Sequence, residues 1–435
     1  MVSRAATPAT LAPAGFSNLR IDVSKTATTK PLSCVHFIEA IRSELGGVVS
    51  AVVDMCDAMS SRGHRVVVAT CDDADAPAEW RSAAKDQPQL VRLSTSRLTK
   101  RLIGAAGHAH FAGLAADADV VHLHTPWSPG NYQLARLLRR ARVPYLVSVH
   151  GMLDHYCMRT KPVKKHALLR LGGRRLFRDA SVVHFTAEEE RLQASHYIPV
   201  GDRGVVEPCL VDLSPYDRLP GPQLAFQTFP QFSPVAPKIL FLSRVHPKKG
   251  IDLLLRAVAS LQDRWPDFQL IIAGPGEDRY VAELTRLAAE LKIGNQTFFL
   301  GMVRGELKLS LYETADVFVL PTHQENFGLV LPEAMACGAP VVTTRGTDIW
   351  RELQQGGVSI VENAPQAIAA SIAEILGNPA KAEAMRLQQQ TFVRQWLDGD
   401  RLAAGYEAMY RGAIARGPAP FATVADRTCD SKRTA

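Results

Sequence analysis

Long apolar runs are missing from these 435 residues. No window reaches the roughly 18 uninterrupted apolar side chains that a membrane-spanning helix needs. The first thirty residues, MVSRAATPATLAPAGFSNLRIDVSKTATTK, also lack the apolar core of about 7–15 residues that marks a secretory signal, and residues 1–30 read as a disordered extension. Paired cysteines are missing as well. The seven present (Cys34, Cys56, Cys71, Cys157, Cys209, Cys337 and Cys429) are odd in number, widely spaced and never in a CxxC pair. That argues against a disulfide framework or a zinc site, and it points to free thiols in a reducing, cytoplasmic setting. Acid is scarce in one region: residues 91–180 hold 16 Lys/Arg against four Asp/Glu, although the whole chain is only +7. Such a local imbalance suits phosphates, of nucleic acid or of anionic lipid heads, or else a solvated basic face with no partner. The segment has no interleaved aromatics and no reader motif, which disfavours nucleic acid.

What is present is alternation. Short β-branched runs, RVVVAT (65–70), DVVHLHT (119–125), PYLVSVH (144–150) and SVVHFT (181–186), read as buried parallel strands separated by helical patterns. Residues 219–237, LPGPQLAFQTFPQFSPVAP, carry five prolines and no clear period, and read as a linker. The alternation restarts at KILFLSR (238–244) and continues through FQLIIAG, TFFLGMV, DVFVLPT, APVVTT and VSIV. The fold class is therefore α/β, with two doubly wound, Rossmann-like domains in series. Residues 31–218 form the first domain and 238–378 the second. Residues 379–415 make a helical tail, broken near Gly399, that can cross back to the first domain, and 416–435 form a disordered end.

Ligands of open parallel sheets gather at the carboxyl ends of strands, which ranks the motifs. HQENFGLVLPEAMACGAPVVTT (323–344) places Glu325 just after a strand and Glu333 eight positions later, with Gly328 between them. If one helix carried both, they would stand about 12 Å apart, near the reach of a diphosphate-linked molecule. The helix beginning near Gly328 would offer free N–H groups to an anion. Carboxylates accept from sugar hydroxyls but repel phosphates, so cations are required. FLSRVHPKKGIDLLL supplies them, with Arg244 at a strand end and Lys248 and Lys249 before Gly250. Either motif alone fits a capping glutamate or solvated cations. Together, each at a ligand end, they favour a site.

ENFGLVLPEAMACGAPVV together with SRVHPKKG resembles the E-x7-E retaining glycosyltransferases of the GT-B fold, family 4. The resemblance covers most of residues 33–415 and is specific in the second domain. It implies two domains facing a cleft and transfer of a sugar from a nucleotide-sugar with retention at the anomeric carbon. It implies that no metal or other cofactor takes part. Carried over by position, Glu325 would bond the donor sugar's hydroxyls, and the backbone of Asn326, Phe327, Gly328 and Leu329 would line sugar and phosphate. Glu333 would hold the ribose, Arg244 and Lys249 the diphosphate, and Met302 and Val303 would lie in the loop around the base. In the first domain SELGGVVSAV is similar to the family's glycine loop, which puts Gly46 and Gly47 near donor phosphates or acceptor. YLVSVHGMLDHY places His150 where the family often has a histidine near the reacting sugar. The alternative for that residue is a turn histidine capping a strand. GML followed by a basic helix is similar to members acting on polysaccharide or lipid-linked acceptors.

The chain departs from the pattern where the family usually shows Asn-Gly: it has Cys209-Leu210, although Asp212 keeps the trailing acid. His323 replaces a small residue. DAD (117–119) and DADA (73–76) imitate a metal-binding Asp-x-Asp, but one opens a strand and the other sits in a polar loop. His122 and His124 share a strand face without an evident third ligand, which favours packing or a minor acceptor contact. GPGEDR (274–279) lacks the third glycine of a dinucleotide fingerprint. The expected activity is metal-independent retaining transfer to a polysaccharide or lipid-linked saccharide. The alternatives are a nucleotide-sugar epimerase or phosphorylase on the same fold, or a catalytically silent sugar-binding subunit. A silent subunit would be expected to lose one of Glu325, Glu333, Arg244 and Lys249; all four are present. MRTKPVKKHALLRLGGRRLFR (158–178) alternates cations with leucines, as a helix lying on an anionic membrane would.

Overall fold

The computed structural model describes residues 30–418 except 83, 85, 98, 100 and 101. The expectations for residues 1–29 and 419–435, Cys429 included, lie outside the described residues. Two parallel sheets organise the rest. The first contains β1 (Ser33–Phe37), β2 (Arg65–Thr70), β3 (Gln89–Arg92), β4 (Val120–His124), β5 (Tyr145–Ser148), β6 (Val182–Phe185) and β7 (Gly204–Val206), in the order β3-β2-β1-β4-β5-β6-β7. The second contains β8 (Lys238–Leu242), β9 (Gln269–Ala273), β10 (Thr297–Gly301), β11 (Val317–Leu320), β12 (Val341–Thr344) and β13 (Ser359–Val361), in the order β10-β9-β8-β11-β12-β13. Both are doubly wound α/β sheets. Strands β8, β9, β11 and β12 are buried along their whole length because helices cover both faces, so they read as apolar runs instead of alternating. The edge strands β3 and β7 are short and only partly buried, so no apolar run announced them.

In each sheet the strand order reverses once, between β1 and β4 and between β8 and β11. Neighbouring strands diverge into connections on opposite faces there, which opens a crevice at their carboxyl ends. Those crevices position the site described below.

The proline-rich stretch 219–237 is not the bare linker that its composition suggests. It contains the helix Gln223–Thr228, whose Ala225 N–H donates to Ser310 Oγ at 2.9 Å. Phe232 is buried against Phe298, ring centroids 5.5 Å apart. Proline scatters the pattern, but side-chain packing still orders it. The tail breaks where the helix Pro379–Trp396 ends and Asp398 caps the helix Gly399–Arg416 by accepting from Arg401 N–H at 2.8 Å. The first of these helices stays on the second domain, where buried Gln389 accepts from Val341 N–H at 3.1 Å and donates to Gly357 O at 3.0 Å. The second crosses to the first domain. Tyr406 donates to Pro208 O at 3.0 Å, and Tyr410 lies 3.1 Å from His122 Nδ1. This helix runs one residue beyond the boundary drawn at 415, and Ser181 Oγ donates to Gly417 O at 2.8 Å. Cys209 and Leu210 are both buried at this junction.

Gly405 of the crossing helix lies against Glu207, so close that an added Cβ would stand 2.5 Å from the carboxyl carbon. Burial pushes the Glu207 carboxyl up to about 7, with Arg401 opposing the shift. Because the folded value is raised, the stability held by the neutral form is complete below the ordinary glutamate range and is lost as pH rises through about 7. Glu207→Gln should therefore melt with the parent at pH 5 and about 2 °C or more above it at pH 8. A difference that does not change with pH in paired melting curves would contradict this account of Glu207.

Candidate active site

The second-domain half is built on the β8 and β11 loops. After β8 the chain turns through His246, whose ring accepts from Lys248 N–H at 3.2 Å, and leaves by Gly250 at φ +66°. A Cβ at Gly250 would fall 2.1 Å from Pro321 O, so only glycine lets the two loops touch. They are bolted further by Lys248 O, which accepts from His323 N–H at 2.8 Å and Thr322 Oγ1 at 3.0 Å. Lys249, 3% exposed, is ion-paired with Glu325. Burial, with Lys248 and Arg244 nearby, pushes the Lys249 ammonium well below its ordinary value. Arg244 is exposed and has no carboxylate partner among the described residues. The Glu325 backbone is pinned by Gly346 O, which accepts its N–H at 2.8 Å. Gly328 takes φ +62°, and a Cβ there would meet Glu325 Cγ at 2.8 Å.

The helix after this loop is only Val330–Ala336. Glu325 therefore lies outside it, and the helical spacing expected between the two glutamates does not apply. They have separate settings. Glu333 accepts from Lys308 Nζ and Tyr312 Oη, each at 3.0 Å. Phe327 turns its ring away from the cleft to stack on Trp396, centroids 5.5 Å apart, which leaves only its backbone for a ligand. At the end of β10, Met302 is 53% exposed while Val303 is buried.

The first domain brings two loops to the same cleft. Gly46, at φ +80°, caps the helix Gly47–Ser61. A Cβ at Gly47 would stand 3.3 Å from Leu329 Cδ1 of the facing domain. After β5, His150 and Gly151 are both left-handed, at φ +52° and +68°. For His150 that conformation costs on the order of 1–2 kcal/mol. Gly151 N–H donates to Glu190 Oε1 at 2.6 Å, and His150 Nε2 lies 3.1 Å from His124 Nδ1.

Across the cleft, Asn326 is central. Its Oδ1 lies 3.1 Å from Thr186 Oγ1, and its Nδ2 donates to Asp348 Oδ2 at 3.1 Å. Gln193 donates to Asp348 Oδ1 at 2.9 Å, Gln324 donates to Asp154 Oδ2 at 2.6 Å, and Arg351 pairs with Glu189. Burial raises the carboxyls of Asp348, Glu190 and Asp154, and the Glu190 charge raises Asp348 further. Thus Glu325, Lys249, Arg244, Asn326, Gly46, Gly47 and His150 are brought to one cleft. Sequence reasoning missed Glu190, Thr186, Asp348, Gln193 and Asp154. Thr186 ends and Glu190 follows a recognised strand run, SVVHFT, so the ligand-end rule could have flagged them.

His36 supplies the third histidine that the sequence did not reveal beside His122 and His124. One ring nitrogen of each lies within 4.8 Å of the others. All their ring nitrogens except His36 Nε2 already face partners. His36 Nδ1 faces His124 Nε2 at 3.2 Å, and His122 meets Tyr410 Oη at 3.1 Å and Ser148 Oγ at 2.6 Å. Asp119, from the Asp-x-Asp mimic, accepts from Ser33 N–H at 2.8 Å at the far end of the sheet.

Residues 46–208 match the model of the "Glycosyl transferase 4-like domain" and residues 228–391 that of "Glycosyl transferases group 1". The chain is 31% identical over 341 residues to phosphatidyl-myo-inositol mannosyltransferase of Mycobacterium tuberculosis, covering 76% of this chain and 82% of that one. It is 30% identical over 382 residues to D-inositol 3-phosphate glycosyltransferase of Geodermatophilus obscurus, covering 77% and 78%. In fold it is similar to sucrose-phosphate synthase from Thermosynechococcus elongatus, with a TM-score of 0.71, 20% identity and coverage of 88% and 99%. HepE of Anabaena, solved with UDP and glucose, superposes with a TM-score of 0.71 at 19% identity, covering 87% and 98%. With its two doubly wound sheets and the cleft between them, the chain belongs to the family 4 glycosyltransferases of the GT-B fold and is a hexosyltransferase.

Proposed function

We propose that the protein moves a hexose from a nucleoside-diphosphate sugar to a lipid-linked saccharide, polysaccharide or inositol-bearing acceptor, with retention and without a metal. The observation that carries this reading is the Lys249–Glu325 pair beside Arg244 at the crevice of the second sheet, facing His150 and Gly46–Gly47 across the cleft. A buried ammonium needs an anion. Glu325 supplies it, and a bound donor diphosphate would take over that role and release Glu325 to the sugar hydroxyls. Arg244 and Lys248 share the charge that develops on the leaving diphosphate, the work a divalent ion does in other transferases. Glu333, steadied by Lys308 and Tyr312, holds the ribose. The acceptor oxygen attacks the anomeric carbon on the face the phosphate leaves. One C–O bond forms as the other breaks, and the acceptor proton passes to the departing phosphate oxygen. Glu325 is thus a positioning carboxylate and not a nucleophile. The inositol in the names of both relatives, and the mannose transferred by the mycobacterial one, support this acceptor and sugar class.

The same reading places the protein at the inner face of a membrane. No helix among the described residues is long and apolar enough to cross one. The segment 158–178, however, turns Val163 (83% exposed) and Leu171 (85%) outward beside exposed Lys161, Lys164, Arg170, Arg174 and Arg175. Apolar side chains among cations suit the boundary between anionic headgroups and acyl chains. The six described cysteines are free, in keeping with a reducing compartment.

Three outcomes are expected. Nucleotide-sugars of one base should raise the melting temperature in EDTA, and Glu325→Ala should lower kcat on the order of 100-fold; unchanged turnover would sink the assignment of Glu325. Co-sedimentation with vesicles should rise with anionic lipid content and fall several-fold in the triple variant Lys164→Glu, Arg170→Glu, Arg174→Glu. Binding indifferent to anionic lipid would remove the membrane proposal.

A further inference from the structure

The first sheet carries an unusual interior. His36 on β1, His122 and His124 on β4, His150 after β5 and His184 on β6 are all buried. In the parallel register His36 pairs with His122, and Ser148 pairs with both His124 and His184, so these side chains share one face. The crossing helix Gly399–Arg416 covers that face with Tyr406 and Tyr410. Two hydrogen-bonded files run through it.

One file has a direction set by chemistry. His184 Nε2 lies 2.9 Å from Glu207 O, which can only accept, so the His184 proton is on Nε2. Its Nδ1 then accepts from Ser148 Oγ at 2.6 Å, and Ser148 accepts from His122 Nε2–H at 2.6 Å. His122 Nδ1 is left to accept from Tyr410. His122, although its ring centroid is 4.1 Å from that of His124, has no N–H left to give.

The other file runs from His36 Nδ1 to His124 Nε2 at 3.2 Å and from His124 Nδ1 to His150 Nε2 at 3.1 Å. Its far end, His36 Nε2, is buried with no partner among the described residues. A buried N–H without an acceptor is rarer than a buried acceptor without a donor, so the His36 proton belongs on Nδ1. The protons then all point one way: His36 donates to His124, and His124 donates to His150 Nε2. His150 Nδ1, which has no protein partner among the described residues, carries the remaining proton. We propose that His36 and His124 are positioning residues which fix His150 as the neutral Nδ1–H tautomer, so that it meets the sugar or diphosphate as a hydrogen-bond donor. Burial agrees with neutrality, lowering His36 and His150 to about 3 and His184 to about 4. The Glu190 clamp on Gly151 holds the strained backbone while His124 holds the ring. The proposal rests on the reading of His150 as a residue of the transfer site.

The test combines a spectroscopic and a kinetic readout. In the full chain with labelled histidine, long-range nitrogen–proton correlations should show His150 protonated on Nδ1. His124→Phe should shift that ring toward the Nε2–H form and lower kcat about tenfold or more, with KM for the nucleotide-sugar within about twofold. His124→Asn places an amide where Nδ1 stood and should restore most of kcat. A wild-type His150 protonated on Nε2 would overturn the proposal even if the phenylalanine variant failed to fold. So would one equivalent of a divalent ion retained by the purified protein, because the file's nitrogens would then be ligands. A tautomer that shifts in His124→Phe without any loss of kcat would leave the proton file standing and remove His150 from the reaction.

Discussion

A lysine and a glutamate meeting out of water hold this site together. Taking the Lys249 ammonium out of solvent costs several kcal/mol unless an anion faces it, and the fold brings Glu325 to it from the other side of the sheet's crevice. The pairing needs two loops in contact, and they touch only because Gly250 has no Cβ to strike Pro321. Charge, backbone conformation and strand order are thereby one constraint. A ligand that brought its own anion would relieve it.

The first domain solves a different problem with the same topology. Its strand ends carry imidazoles and a serine instead of cations, and those polar groups are buried beneath a helix from the other end of the chain. Among the described residues every ring nitrogen of this cluster has a partner except His36 Nε2 and His150 Nδ1. A polar interior of this kind is stable only when its partners are in register. The tyrosines of Gly399–Arg416 are therefore part of the first domain's core, although they lie beyond the second domain in sequence. The same helix tethers the two domains, whose cleft contacts include hydrogen bonds from Thr186 to Asn326 and from Gln193 to Asp348.

Strand positions, the two-domain division and the cation and carboxylate motifs were legible in the chain. Buried parallel strands are apolar along their whole length, and loops at their carboxyl ends carry the chemistry. The edge strands β3 and β7 were not legible, being short and half-covered. The helix in 219–237 was hidden among prolines. The sequence places Glu325 in a loop ahead of the helix, as the structure does; only the helical spacing taken between it and Glu333 fails, because Gly328 turns that loop and the helix starts only at Val330.

By itself the sequence determined which residues could sit at strand ends, because strand periodicity and turn residues are local properties. Which of them meet was decided only by the tertiary structure. His36 joins His124 because β1 and β4 are neighbours at the reversal of strand order, and Tyr410 reaches His122 because the last helix crosses back. Asn326 finds Thr186, and Asp348 finds Gln193, because two sheets face each other. Contacts between distant parts of a chain leave no spacing pattern, so the partners of each site residue were set by packing and not by local sequence.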